Sequence, residues 1–72
     1  MRKTVDLTGL TTTGTVAFKA DSILCGMQAG VVTFLADMEY KVDCVRLFAG
    51  ELGWQVAVQP LDGNYLITAL KD

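Results

Sequence analysis

The stretch from Trp54 to Leu70 constrains the fold more than any other, because turn chemistry and apolar pattern there specify the same hairpin. Asp62-Gly63 is the strongest short hairpin signal in the chain, a dipeptide suited to a two-residue loop. Before it, Trp54, Val56 and Val58 alternate with Gln55, Ala57 and Gln59; after it, a second strand runs from about Asn64 to Leu70. A two-residue loop sets Val58 opposite Ile67 and Val56 opposite Ala69. Four apolar side chains then share one face, so the register is self-consistent.

The upstream segments supply the rest of the fold. Val5 and Leu7 alternate with Thr4, Asp6 and Thr8, the period of a strand with one buried face. Thr11-Thr12-Thr13-Gly14-Thr15 offers hydroxyls for a helix N-cap. From about Gly14 to Gly26 or Met27, the residues Val16, Ala20, Ile23, Leu24 and Met27 fall on one helical stripe. Val31 to Ala36 is a nearly continuous apolar run rich in strand formers, suited to a central strand. Asp37 to about Lys41 leads into a second helix whose buried stripe is Val42, Val45, Phe48, Ala49 and Leu52, with Gly53 as its stop. The order β-α-β-α-β-β predicts an α+β fold, a two-layer sandwich. A four-stranded mixed sheet carries both helices on one face, and residues 1–72 form a single domain.

Size limits how much of this chain can be hidden. A 72-residue chain buries only about 60% of its unfolded surface. Yet 51% of the residues are hydrophobic, and the mean hydropathy is +0.38. Apolar surface therefore stays exposed, which favours a protein partner or a homo-oligomer. The sheet face away from the helices is where it is expected, at Ala57, Leu66 and Leu70.

Charge and composition exclude several functions. The net charge is -2, and Arg2, Lys3, Lys19, Lys41, Arg46 and Lys71 are scattered rather than clustered. Nucleic-acid affinity comes from lysine and arginine gathered on phosphates, so this distribution argues against it. The one grouping that folding can produce is Lys19, Lys41 and Arg46. The chain holds no histidine, which removes imidazole acid–base catalysis and the usual imidazole metal sites. Asp37 and Glu39 read as a solvated loop rather than metal ligands, and no metal or cofactor is expected. The longest apolar run is far below a membrane span, no charged-then-apolar leader is read, and two cysteines do not make a disulfide framework. A cytoplasmic protein without membrane insertion is the expectation.

Three features remain as candidate sites. Gly9-x-x-x-x-Gly14-Thr15 lies between a strand and a helix, as a phosphate-binding loop does, but Thr15 stands where the lysine is needed. The weaker expectation is an anion-binding loop of Thr12, Thr13, Gly14 and Thr15. Cys25 lies opposite the buried stripe of the first helix, solvent-facing with Phe18 and Asp21, as a possible thiol or contact surface. It is not at a helix N-terminus, so it lacks the activation that position supplies. Cys44 flanks the stripe of the second helix and reads as a half-buried small hydrophobe.

Gly9-Leu10 at the strand-to-helix junction, the pattern of the first helix, and Asp37, Val45, Phe48, Ala49, Leu52, Gly53 and Tyr65 together resemble the TusA-like or SirA-like sulfur-carrier family. The resemblance spans nearly the whole chain. The family signature is Gly-Leu-x-Cys-Pro-x-Pro, and here the Gly-Leu is followed by neither cysteine nor proline. Counting back from Gly30 puts Thr13 at the position of the family's cysteine; counting forward from Gly9 gives Thr12. Trp54 stands where the family often has histidine. The resemblance implies a scaffold for accepting a sulfane sulfur and passing it to a partner. The missing cysteine implies a sulfurtransferase-like site that is no longer enzymatic, leaving a small binding or regulatory module. Two alternatives stay open: an active sulfur carrier using Cys25 or Cys44, and a nucleic-acid-binding module suggested by fold analogy.

Overall fold

The computed structural model describes residues 2–72. Its elements are β1 (Arg2–Asp6), α1 (Thr13–Cys25), β2 (Gly30–Ala36), α2 (Glu39–Glu51), β3 (Gln55–Leu61) and β4 (Asn64–Lys71). The four strands form one sheet in the order β1-β2-β4-β3. β1 runs parallel to β2, and β4 is antiparallel to both of its neighbours. The expected α+β two-layer architecture is therefore the one observed. Among the described residues, no helix is long and apolar enough to cross a membrane.

The hairpin forms in the expected register. Asp62 (φ 48°) and Gly63 (φ 83°) both lie in the left-handed region, as a two-residue primed turn requires. Val58 stands opposite Ile67 and Val56 opposite Ala69. β4 continues the pairing into β2, where Ile67 meets Phe34 and Ala69 meets Val32. Val5 of β1 extends the same row.

That row is the floor of the core, and the helices are its roof. Val16, Ala20 and Leu24 of α1 and Val42, Val45 and Ala49 of α2 are buried against Val5, Val32, Phe34, Ala36, Ile67 and Ala69. A buried valine, leucine or phenylalanine contributes roughly 1.5–3 kcal/mol, so this contiguous cluster is the main stabilising feature of the domain. Ile23 and Met27, expected on the α1 stripe, pack against it half-buried.

The start and end of α2 differ in how closely they follow expectation. At its end, Gly53 (φ 85°) takes the left-handed position, Gly53 N–H donates to Gly50 O at 3.2 Å and Trp54 N–H to Ala49 O at 2.8 Å. This is the Schellman arrangement, which satisfies carbonyls the helix leaves unpaired. Trp54 is buried there and precedes β3 rather than opening it. At the other end, the buried stripe includes Lys41, one turn before Val45, while Phe48 and Leu52 are only half-buried. A lysine, not a hydrophobe, fills the first turn of the core face.

Candidate functional site

The junction between β1 and α1 combines short-range bonds with two kinds of long-range tie, one to β2 and one to α2. Asp6 ends β1, and its carboxylate accepts from Thr8 N–H at 2.8 Å and Thr8 Oγ1 at 2.6 Å. The Thr8 hydroxyl and amide, in that order, hold the Asp6 carboxyl below the usual carboxylate range, with smaller help from Lys19 and Lys41. Leu7 is fully buried, and its N–H continues the ladder to Leu35 O at 2.8 Å. Leu10 N–H turns back to Leu7 O at 3.2 Å.

Thr12 is the N-cap of α1, in extended conformation. Its Oγ1 accepts from Thr15 N–H at 3.2 Å and shares a hydrogen bond with Thr15 Oγ1 at 2.6 Å. One of the helix's unpaired amides is satisfied by this cap. Thr12, Thr13, Gly14 and Thr15 are all exposed. The expected anion loop thus spends the Thr12 and Thr15 hydroxyls and the Thr15 amide on itself.

The tie to α2 is a lysine. Lys41 is 1% exposed, and its Nζ donates to Leu7 O at 2.7 Å and to Thr8 O at 3.4 Å. It also pairs with Asp37 Oδ1 at 2.6 Å. An ammonium has three N–H donors, and these three acceptors match them. A buried charge is tolerated only when paired and hydrogen-bonded, so the burial of Lys41 depends on the loop lying where it does. This corrects two sequence expectations. Asp37 is an ion-pair partner and not merely a solvated loop residue. The grouping of Lys19, Lys41 and Arg46 loses its middle member to the interior, which removes the one basic cluster that folding was expected to gather.

The thiols lie away from this junction. Cys25 is the last residue of α1, separated from Thr13 by about 18 Å of helix at ~1.5 Å per residue. It is exposed, as is Phe18, while Asp21 is half-buried. Cys25 Sγ donates to Asp21 Oδ1 at 3.4 Å. That hydrogen bond, then burial, then the Asp21 charge raise the Cys25 thiol above its ordinary range. The C-terminal end of a helix adds partial negative charge and disfavours thiolate further. Cys44 is half-buried and packs against the core from α2.

The open sheet face is less uniformly apolar than the alternation suggested. In register, Thr4, Thr33, Thr68 and Ala57 form a row across all four strands. Val31 and Leu70 pair on one side of it, and Leu35 and Leu66 on the other. Ala57 and Leu70 are exposed and Leu66 is half-buried. The expected interface residues therefore share a face, but Ala57 lies in the threonine row, which separates Leu66 from Leu70.

No family model and no curated protein matches the chain. Among solved structures, it is similar to the SirA-like protein from Desulfitobacterium hafniense, with a TM-score of 0.83 and 24% identity over 94% of this chain and 95% of that one. The chain has a SirA-like fold.

The sequence singled out Thr12, Thr13, Gly14, Thr15, Cys25 and Cys44 as candidates but did not place Lys41 at the junction. A signal was present, since Asp37 and Lys41 are four residues apart at a helix start, the spacing of a same-face ion pair. Nothing local identified Leu7 O and Thr8 O as its other partners.

Proposed function

We propose that this chain is a cytoplasmic TusA-like protein that does not carry persulfide at the junction and acts as a small binding or regulatory module. The observation that carries the reading is threonine at both Thr12 and Thr13, with the Thr12 hydroxyl committed to capping α1. A hydroxyl cannot hold a persulfide, and the capping bond makes Thr12 a structural residue. The two cysteines supply no replacement in place: Cys44 is packed against the core, and the thiol of Cys25 is raised by Asp21. The rival, an active carrier on Cys25, has the exposure of that residue in its favour.

Incubation with a cysteine desulfurase and cysteine, followed by mass spectrometry of the intact protein and its peptides, separates the two. The expected result is no adduct. A stable gain of one sulfur atom mapped to Cys25 or Cys44 establishes the rival instead.

The module's contact face is proposed to be the open side of the sheet, at Ala57, Leu66 and Leu70. Leu66→Lys places a charge there without touching the helix-packed core, so the fold should persist, at a cost of about 1 kcal/mol for a half-buried leucine. Self-association or partner binding should weaken. Light scattering across a concentration series reads the outcome. A wild-type monomer at every concentration, with partner capture unchanged in Leu66→Lys, removes this face from the proposal.

A further inference from the structure

The sheet ends in two edges that are protected unequally. The β3 edge carries Pro60, whose missing N–H interrupts the donors an added strand would need. β1 has no proline and is paired on one side only, with β2. Leu7 N–H points to β2, donating to Leu35 O. Amides alternate in direction along a parallel strand, so Lys3 and Val5 aim theirs at β2 while Thr4 and Asp6 turn theirs to the open edge. Five residues at ~3.3 Å each make this edge roughly 16 Å long.

Beside that edge lies a cleft of about 860 Å³, with α1 as its other wall. Val5, Phe18 and Ile23 give it an apolar lining, and Lys3 and Lys19 bring two ammonium groups to it. Phe18 is 64% exposed, a large ring left on the wall of the cleft. The charge placement is selective. Of the six basic residues, Lys41 and Lys71 are bonded to backbone carbonyls of Leu7 and Leu52. Of the other four, Arg2 and Lys3 belong to β1 and Lys19 to α1. The acid lining the cleft is Asp6, whose carboxylate is bonded to Thr8 and keeps its charge. Lys3 and Lys19 outnumber it, so a chain of net charge -2 carries a groove with one net positive charge in its lining along an unpaired strand.

We propose that β1 and α1 form a docking groove for an extended acidic segment of a partner protein. The segment adds as a fifth strand, exchanging main-chain hydrogen bonds with Thr4 and Asp6. Its carboxylates meet Lys3 and Lys19, and its apolar side chains rest on Phe18 and the exposed part of Ile23. This partner class goes beyond the sulfur question, and it stands or falls independently of whether any thiol carries sulfur.

A fluorescein-labelled peptide alternating glutamate and valine is the probe. Lysine–valine and backbone N-methylated versions of it are the comparisons. Binding is followed by fluorescence anisotropy and by amide resonances of the isotope-labelled protein. The glutamate peptide should bind saturably and slow hydrogen exchange at the Thr4 and Asp6 amides. The double variant Lys3→Glu/Lys19→Glu should weaken it at least about tenfold. Both lysines are exposed, so the fold should survive; Lys19→Ala alone, checked by circular dichroism, should weaken binding severalfold. The N-methylated peptide should not bind. The proposal is overturned by absence of saturable binding, by equal binding of the lysine or N-methylated peptide, or by resonance shifts confined to the open sheet face. Equal competition by a single-stranded oligonucleotide would reassign the groove to a nucleic acid. Protection of the same amides in a peptide-free dimer would reassign it to a second copy of this chain.

Discussion

The two helices of this domain begin in opposite ways. α1 starts at an exposed threonine that caps it from three residues away, Thr12 to Thr15. α2 starts at Met38, which offers no side-chain cap, and its first turn holds Lys41, which reaches Leu7 across 34 positions of sequence. The first start is self-contained and sits in water. The second leaves Asp37, Met38 and Glu39 exposed but buries Lys41, which fastens the β1–α1 loop to the other helix. The junction where α1 begins is thus tied to α2 through Lys41, beside the buried Leu7 side chain and the Leu7 N–H bond to Leu35 O that tie it to the sheet. Its own threonines shape the helix end but do not place it.

Removing the fastening should therefore have the largest effect. Lys41→Met keeps the stem apolar and of similar length but takes the ammonium donor from Leu7 O, which keeps its 3.2 Å bond from Leu10 N–H, and leaves Asp37 without its partner. Hydrogen bonds to charged groups contribute about 1.5–3 kcal/mol, so urea unfolding should show a loss of that order, and the Thr8–Leu10 amides should exchange faster. Asp37→Asn should cost less, because its side chain is 37% exposed and solvent already screens it. A loss below about 0.5 kcal/mol for Lys41→Met would mean the loop holds its place without the lysine. Thr12→Ala is the matching change at the other start. Loss of an N-cap hydroxyl typically costs about 1 kcal/mol, and the effect should stay local, with faster exchange at Thr15 and unchanged exchange at Leu7. Equal effects on Leu7 from both variants would erase the distinction between the two starts.

The same contrast explains what could be read from the amino-acid order. Features set by neighbours were legible: the Asp62-Gly63 turn with its register, a cap somewhere in the Thr11–Thr15 stretch, the Gly53 stop and the sheet's helix-packed face all depend on residues a few positions apart or on a simple period. The fold class followed from them. Lys41 was not legible, because a lysine in an apolar stripe reads as a surface residue until its acceptors are known, and two of them lie on a segment far away in sequence. The cleft beside β1 escaped for a related reason: it exists only between two elements, and neither Lys3 nor Lys19 is unusual by itself. The threonine row on the open face needed the pairing of all four strands before Thr4, Thr33 and Thr68 became neighbours.

The smallest expected effect tests the part of the junction that neither helix start controls. Asp6 accepts two hydrogen bonds from Thr8, and its carboxyl is held below the ordinary range, first by the Thr8 hydroxyl and then by the Thr8 amide. A carboxyl whose pKa is depressed on folding adds stability above its unfolded value, near 3.9. That stability is lost as pH falls through the folded value. Asp6→Asn keeps an acceptor oxygen for Thr8 but cannot titrate. At neutral pH the variant should lose the charge-assisted part of the bond and be slightly less stable. Below about pH 4 the gap between wild type and variant should close, because protonation deprives the wild type of the same charge. Urea midpoints measured from neutral pH down into this acid range follow the closure directly. A constant gap across the range would mean that the Asp6–Thr8 turn acts through shape and not through charge. The Lys41 fastening would then be the one electrostatic device at the junction.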